Sequence, residues 1–87
     1  MPMTEQEIFT SFGGLVEEFT GMSAGDVAPG ADLTEDLDVD SLAMVEIITA
    51  AQEKFGVDIP DKELKHLKTV QDVVSYVQRA QRSIVSA

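Results

Sequence analysis

Apolar residues recur at intervals of three and four near the start of the chain, which is the spacing of one face of an α-helix. Thr4, followed three residues later by Glu7, forms a capping-box pattern that typically opens a helix. The pattern predicts a first helix over residues 4–20, ending at Gly21. The pair Gly13-Gly14 weakens its middle by roughly 1 kcal/mol per glycine relative to alanine. The predicted buried face consists of Ile8, Phe12, Leu15, Val16 and Phe19.

A second helical pattern follows Asp40 and Ser41, both good N-cap residues, and continues until Gly56. We therefore expect a helix over residues 41–55. Its buried stripe comprises Met44, Ile47, Ile48, Ala51 and Phe55. On the opposite face, apolar Leu42 and Val45 lie among Glu46, Thr49 and Glu53, so this face is predicted to be a docking surface.

The rest of the chain predicts a short third helix, a fourth helix and one long connection. Asp61 is expected to cap the short helix over residues 61–67, and Thr69 with Asp72 resembles a second capping box. The fourth helix has a shared face formed by Val70, Val73, Val74, Val77 and Ile84. Residues 21–40 are rich in glycine and turn formers, and predict a long loop whose apolar anchors are Met22, Val27, Leu33 and Leu37. The expected fold is all-α: a four-helix bundle with a long first loop and a short third helix, in one domain over residues 1–87.

Composition supports one small folded domain, since 44% of the 87 residues are hydrophobic. The charge distribution narrows the range of partners. Residues 1–53 carry twelve acids and no Lys or Arg, giving a charge of −12, whereas the remainder carries +2. Such a field repels phosphate backbones and attracts basic protein surfaces. Nucleic acid is therefore not an expected partner.

The chain contains no cysteine, so it can form neither a disulfide nor a protein thiol nucleophile. No apolar run approaches membrane-spanning length, and residues 1–5 lack the basic and apolar blocks of a signal peptide. We expect a cytoplasmic protein that acts as a monomer and does not bind membranes.

The sequence does not support a calcium site or a catalytic histidine. The alternation of Asp36, Asp38 and Asp40 suggests a calcium loop, but Ser41 stands where such a loop needs Gly and Ile47 where it needs Glu. His66, the single histidine, has no nearby Ser or Cys with which to form a nucleophile pair. We therefore expect no metal site and no catalytic residues, and the chain is not predicted to be an enzyme.

The string from Glu35 to Ile47, with Asp40-Ser41-Leu42 at its centre, resembles the phosphopantetheine attachment signature of acyl carrier proteins. The later Phe55-Gly56 and Ile59-Pro60-Asp61 strengthen the match, which covers essentially the whole chain. The resemblance implies that a phosphopantetheinyl transferase moves 4′-phosphopantetheine from coenzyme A to Ser41. Acyl groups would then be held as thioesters on the arm, for which the protein itself needs no cysteine. A serine at a helix N-terminus is also well placed for a phosphodiester.

The same resemblance implies partners and further site residues. The partners are condensing, reducing and acyl-transferring synthase enzymes with basic docking surfaces. The helical wheel, rather than the resemblance, supplies the expected docking residues, which are Asp40, Leu42, Val45, Glu46 and Glu53. The expected acyl pocket, between the second, third and fourth helices, is bordered by Ile47, Ile48, Ala51, Ile59, Leu64, Leu67, Val73 and Tyr76.

Fatty acid biosynthesis is the pathway that the Asp-Ser-Leu and Ile-Pro-Asp segments favour. The alternatives are polyketide or other specialised lipid biosynthesis, and an acidic adaptor that is never modified. Gly13-Gly14 and the basic set Lys62, Lys65 and Lys68 depart from the usual pattern of the family.

Overall fold

The computed structural model describes residues 3–86. At residue 24 and at residues 83–86 it describes the backbone but not the side chains. Three α-helices account for most of it: α1 (Glu5–Thr20), α2 (Ser41–Phe55) and α3 (Val70–Ser86). Two 3-10 helices, Ala24–Asp26 and Asp61–His66, lie in the first and second connections and are called the first and second 3-10 helices below. The described residues form no strand, so the expected all-α bundle with a short third member is confirmed.

Both predicted capping boxes are present. The Glu7 backbone N–H donates to Thr4 Oγ1 at 3.1 Å, and the Thr4 N–H donates to Glu7 Oε1 at 2.8 Å. At the start of α3 the Asp72 N–H donates to Thr69 Oγ1 at 3.2 Å, and the Thr69 N–H donates to Asp72 Oδ2 at 3.1 Å. Each box satisfies two backbone donors that the first turn of a helix leaves without intrahelical partners.

Glycines end the first two helices as the sequence indicates. Gly21 has φ 78° and its N–H donates to the Glu17 carbonyl, while Gly56 has φ 66° and its N–H donates to the Gln52 carbonyl. Both conformations are left-handed, a region that glycine enters without steric cost. By contrast, α1 continues without interruption through Gly13-Gly14, where Gly13 is buried. Packing of α1 against both α2 and α3 outweighs the weak helix propensity of the pair.

Three local expectations were wrong or incomplete. Phe19 is 39% exposed and does not belong to the buried face of α1. Asp61 does not cap the short helix: Pro60 holds the N-cap position without a side-chain hydrogen bond, and the segment is a 3-10 helix that ends at His66. Met44, expected in the buried stripe of α2, is half-buried at the margin of the core.

The long connection is tied to the start of α3 by backbone hydrogen bonds. The Leu33 N–H donates to the Lys68 carbonyl at 2.8 Å, and the Val70 N–H donates to the Ala31 carbonyl at 3.1 Å. Of the predicted anchors, Val27, Leu33 and Leu37 are buried and Met22 is half-buried. These bonds hold the residues before α2 against the rest of the bundle.

The helices bury a single apolar core. The predicted valines of α3, from Val70 to Val77, lie in it, whereas the side chain of Ile84 lies outside the described residues. The core also contains Gln81, whose Nε2 donates to the Phe55 carbonyl at 3.1 Å and whose Oε1 accepts from the Met3 N–H at 2.9 Å. This amide links the end of α2 to the segment before α1. No helix in residues 3–86 is both long and apolar enough to cross a membrane.

Candidate functional site at the start of α2

Ser41 is the first residue of α2 and its side chain is exposed. Asp40, the N-cap, has extended backbone, and its Oδ1 accepts from the Ala43 N–H at 2.8 Å. The Asp40 backbone carbonyl accepts from the Met44 N–H, also at 2.8 Å. The backbone of Ser41 is therefore fixed by the first turn while its hydroxyl faces solvent. The positive end of the helix dipole lies at the same place and favours a negatively charged substituent.

Asp38 controls how the chain reaches Ser41. Among the described residues, Asp38 is the non-glycine residue that has a positive φ, which is 57°. Leu37 and Val39 on either side are buried, and their N–H groups donate to the Asp32 and Leu33 carbonyls. The left-handed turn at Asp38 thus lies between two anchored neighbours and brings the following residues to the surface.

A cleft of about 540 Å³ opens beside Ser41, between the start of α2 and the second 3-10 helix. Its lining comprises Thr34, Val39, Asp40, Ser41, Met44, Val45, Leu64 and Lys65. A neighbouring cleft of about 400 Å³ shares four of these residues with the first cleft. Its lining comprises Asp32, Thr34, Glu35, Met44, Leu64, Lys65, Leu67 and Lys68. Together they form a groove, called the Ser41 groove below, that runs from the hydroxyl along the second 3-10 helix. A third cleft, of about 670 Å³, lies towards Phe19 and Asp38, and Ser41 is not part of its lining.

The five predicted docking residues all lie on exposed surface of α2 or its cap. Leu42 is 69% and Val45 47% exposed, which is unusual for such large apolar side chains. Asp40, Glu46 and Glu53 are also exposed. Asp40, Leu42, Val45 and Glu46 lie in or beside the first two turns with Ser41, as the helical wheel indicates. Glu53 lies in the last turn, about 18 Å from Ser41 along the helix axis. Enzyme binding at this outer face of α2 stays a prediction.

The eight predicted acyl-pocket residues do lie together in or against the core. Six are buried, namely Ile47, Ile48, Ala51, Ile59, Leu67 and Val73, whereas Leu64 and Tyr76 are half-buried. Leu64 also lines the Ser41 groove beside the hydroxyl. Of the set, Leu64 and Leu67 line the Ser41 groove, and the others lie in or against the packed core. The use of this region by an acyl chain stays a prediction.

Tyr76 is half-buried and packs against the core. Its hydroxyl donates to the Asp58 carbonyl at 3.4 Å. Burial raises the pKa of Tyr76, and the Glu63 and Asp58 carboxylates act in the same direction against the opposing charge of Arg79. The phenol is thus protonated at neutral pH and can act as a donor.

Sequence reasoning missed two residues of the site. Val39 is buried in the groove wall, and its two-residue spacing from Leu37 could have indicated an extended, half-buried segment. Lys65 lines the cleft with Ser41, although the two residues are far apart in sequence. No sequence signal places it there, because the position depends on how the second 3-10 helix packs. In the described part of the chain, no group of three or more acids and histidine is arranged to hold a metal ion.

Comparison with known proteins agrees with this geometry. Residues 12–77 match the family model described as "Phosphopantetheine attachment site". An acyl carrier protein of Thermobifida fusca is 51% identical over 79 residues, covering 91% of this chain and 100% of that protein. The meromycolate extension acyl carrier protein of Mycobacterium tuberculosis (strain ATCC 25618 / H37Rv) is 44% identical over 79 residues, covering 91% of this chain and 69% of that protein. A solved structure of an acyl carrier protein from Enterococcus faecalis superposes with a TM-score of 0.75 at 23% identity, covering 90% of this chain and 99% of that one, and supports the fold.

Fold, family model and relatives together define a phosphopantetheine-dependent carrier. The chain belongs to the acyl carrier protein family. Its cofactor is therefore phosphopantetheine, and it is a carrier on which enzymes act, not itself an enzyme. The site fits this cofactor, because an exposed hydroxyl at a helix N-terminus adjoins a groove with apolar side chains.

Proposed function

We propose that Ser41 is the attachment residue and that the protein delivers acyl thioesters to the enzymes of fatty acid biosynthesis. The observation that carries the proposal is the exposed hydroxyl at the first position of α2, inside the Asp-Ser-Leu segment. In the transferase reaction the Ser41 oxygen would lose its proton and attack the phosphorus that bears the pantetheine. The pyrophosphate bond of coenzyme A would break, adenosine 3′,5′-bisphosphate would leave, and a phosphodiester would join the arm to Ser41. The arm supplies a thiol that the chain, which has no cysteine, cannot provide.

The surrounding residues orient this serine. The Asp40 carboxylate accepts a hydrogen bond from the Ala43 N–H and so fixes the first turn of α2. The role of Asp40 here is to hold the backbone beside Ser41. Buried Val39 anchors the chain on the other side of the cap. An enzyme that approaches Ser41 therefore meets a rigid helix end, which lowers the entropic cost of binding.

Intact mass spectrometry tests the attachment. The chain is incubated with coenzyme A and a phosphopantetheinyl transferase, and we expect the parent to gain the mass of one arm. Ser41→Ala should retain its helical circular dichroism and gain none. Ser23→Ala, which removes another exposed serine in the first connection, should be modified like the parent. An arm on Ser41→Ala, or no arm on the parent, would refute the proposal.

The proposed partners are the transferase and the condensing, reducing and acyl-transferring enzymes of the pathway. Twelve acids without a compensating Lys or Arg in residues 1–53 favour enzymes that present basic surfaces. The exposed apolar side chains of Leu42 and Val45 supply contact area beside Ser41. These features support docking through the outer face of α2.

Fatty acid biosynthesis is favoured by the Asp-Ser-Leu and Ile-Pro-Asp segments, and by a relative named simply acyl carrier protein that matches over its full length. A specialised lipid pathway is the second candidate, because a 44% identical relative is named for meromycolate extension. Mass spectrometry of the acyl groups released from the protein isolated from cells separates the two. Straight chains of ordinary length, with their 3-oxo, 3-hydroxy and enoyl forms, would support fatty acid synthesis. Very long chains or polyketones would support a specialised pathway.

A further inference from the structure

The second 3-10 helix brings a basic side chain to the proposed attachment site. Lys65 lies on this helix, and of the eight residues that line the cleft beside Ser41 it is the one with a positive charge. It also lines the neighbouring part of the Ser41 groove, so it lies where the two clefts join. Lys62, on the same 3-10 helix and also exposed, lines neither cleft.

An arm attached to Ser41 would add a negative charge next to Lys65. A phosphodiester carries one negative charge, and on Ser41 it would adjoin Asp40, which lines the same cleft. Residues 1–53 add no Lys or Arg that could compensate. The groove holds two cations, Lys65 and Lys68, and of these Lys65 lines the cleft that contains Ser41. A lysine ammonium on its flexible stem can adjust to a phosphate oxygen.

We propose that the Lys65 ammonium binds the phosphodiester of the arm by a charge-assisted hydrogen bond. This inference rests on the proposed attachment at Ser41. The contact links the start of α2 to the second 3-10 helix and directs the first atoms of the arm along the Ser41 groove, past Leu64. Of the basic residues that depart from the family pattern, Lys65 thus contacts the cofactor, whereas Lys62 stays solvated.

Competitive lysine acetylation of the apo and arm-bearing proteins tests the contact. Both forms are treated with a limiting amount of a water-soluble acetylating reagent, and the rate at each lysine is read by peptide mass spectrometry. We expect the arm to slow acetylation of Lys65 by about twofold to fivefold, the range that an exposed ion pair produces. Lys62 and Lys54, the latter in the last turn of α2, should react at the same rate in both forms. The protection should shrink when salt is added.

A second measurement uses the phosphorus nucleus itself. Lys65→Gln should shift the ³¹P resonance of the arm-bearing protein, whereas Lys62→Gln should leave it unchanged. Equal acetylation of Lys65 with and without the arm, or an unchanged ³¹P resonance in Lys65→Gln, would overturn the inference. Because intact mass first establishes that the arm is on Ser41, that result would leave the proposed function standing. Absence of the arm from Ser41 would instead overturn both.

Discussion

At the scale of single residues, Asp38 shows how a local backbone conformation positions the site. Its φ of 57° lies in the left-handed region, where a Cβ crowds the following carbonyl. Aspartate tolerates this region better than most residues because its short side chain can form local hydrogen bonds. Buried neighbours on both sides keep the turn in place.

Replacing Asp38 should separate backbone strain from charge. We expect Asp38→Ala to lower the free energy of unfolding by about 1 kcal/mol relative to Asp38→Gly. Alanine has a Cβ that glycine lacks, and it has no polar side chain that could form the local hydrogen bonds of aspartate. Urea denaturation followed by circular dichroism measures the difference. Glu35→Ala removes the same charge from the same connection at a residue whose φ is not positive, and it controls for reduced repulsion. Equal stabilities of the alanine and glycine variants would show that the turn is not strained.

At the scale of helices, the capping box at the start of α1 links stability to pH. The hydrogen bond from the Thr4 N–H lowers the pKa of Glu7 below its ordinary value of 4.5, and the Thr4 hydroxyl adds to the effect. A group whose pKa is depressed on folding stabilises the native state when ionised. Its contribution is therefore complete above about pH 4.5 and is lost as the pH falls through the lower folded value.

Glu7→Ala should accordingly destabilise the protein at neutral pH and progressively less in acid. The quantity to compare is the difference in urea midpoint between the parent and the variant, measured from neutral pH down to acid pH. Glu18→Ala, an exposed glutamate on the same helix, controls for the loss of one negative charge. A difference for Glu7→Ala that does not shrink in acid would show that the ionised carboxylate is not what stabilises the cap.

The proposed docking face of α2 combines two kinds of side chain whose effects on binding kinetics can be separated. Exposed acids at the rim act mainly on the association rate and are screened by salt, whereas apolar anchors act mainly on dissociation. Glu46→Lys should slow loading by the transferase or a condensing enzyme at low salt, with the deficit shrinking as salt rises. Leu42→Ala should weaken binding with little salt dependence, as the 69% exposure of Leu42 makes it available for contact.

The matched control for Glu46→Lys is Glu18→Lys, which makes the same charge change on the exposed surface of α1. Stopped-flow loading rates at several ionic strengths provide the comparison. Equal rates for Glu46→Lys and the parent with several partner enzymes at low salt would remove Glu46 from the docking surface.

At the scale of the whole molecule, a charge of −10 on 87 residues creates substantial self-repulsion. Added salt shortens the Debye length to about 10 Å at 0.1 M and screens the more distant pairs. We expect the thermal midpoint to rise from low to moderate ionic strength, and magnesium to be more effective than sodium. Differential scanning calorimetry measures this, and an unchanged midpoint would show that the repulsion is energetically unimportant.

The packed core also predicts how an acyl group alters stability. An alkyl chain on the arm gains about 0.8 kcal/mol for each methylene removed from water, so shelter among the predicted pocket residues should stabilise the fold. The thermal midpoint should rise with chain length across a series of acylated forms. Ile48→Ala, which enlarges the apolar region, should weaken the unacylated protein more than the long-chain form. A midpoint independent of chain length would argue against the pocket.

Sequence alone predicted those features that depend on neighbouring residues. The bounds of α2, both capping boxes and the exposed Ser41 follow from periodicity and from side chains that bond to backbone three residues away. The opposite faces of α2 follow in the same way, because a helix distributes its side chains by a fixed rotation. The resemblance of the string around Ser41 to the attachment signature of acyl carrier proteins indicated phosphopantetheine as the cofactor.

Only the tertiary structure decided features that depend on distant segments. Periodicity places Phe19 with the core face of α1, yet it lies at the edge of a cleft and remains 39% exposed. Gln81 is a polar residue whose burial is compatible with folding only because the Phe55 carbonyl and the Met3 N–H meet its amide. Lys65 reaches the cleft at Ser41 because the second 3-10 helix packs beside the start of α2. Burial and proximity are properties of the assembled chain, and local sequence patterns do not contain them.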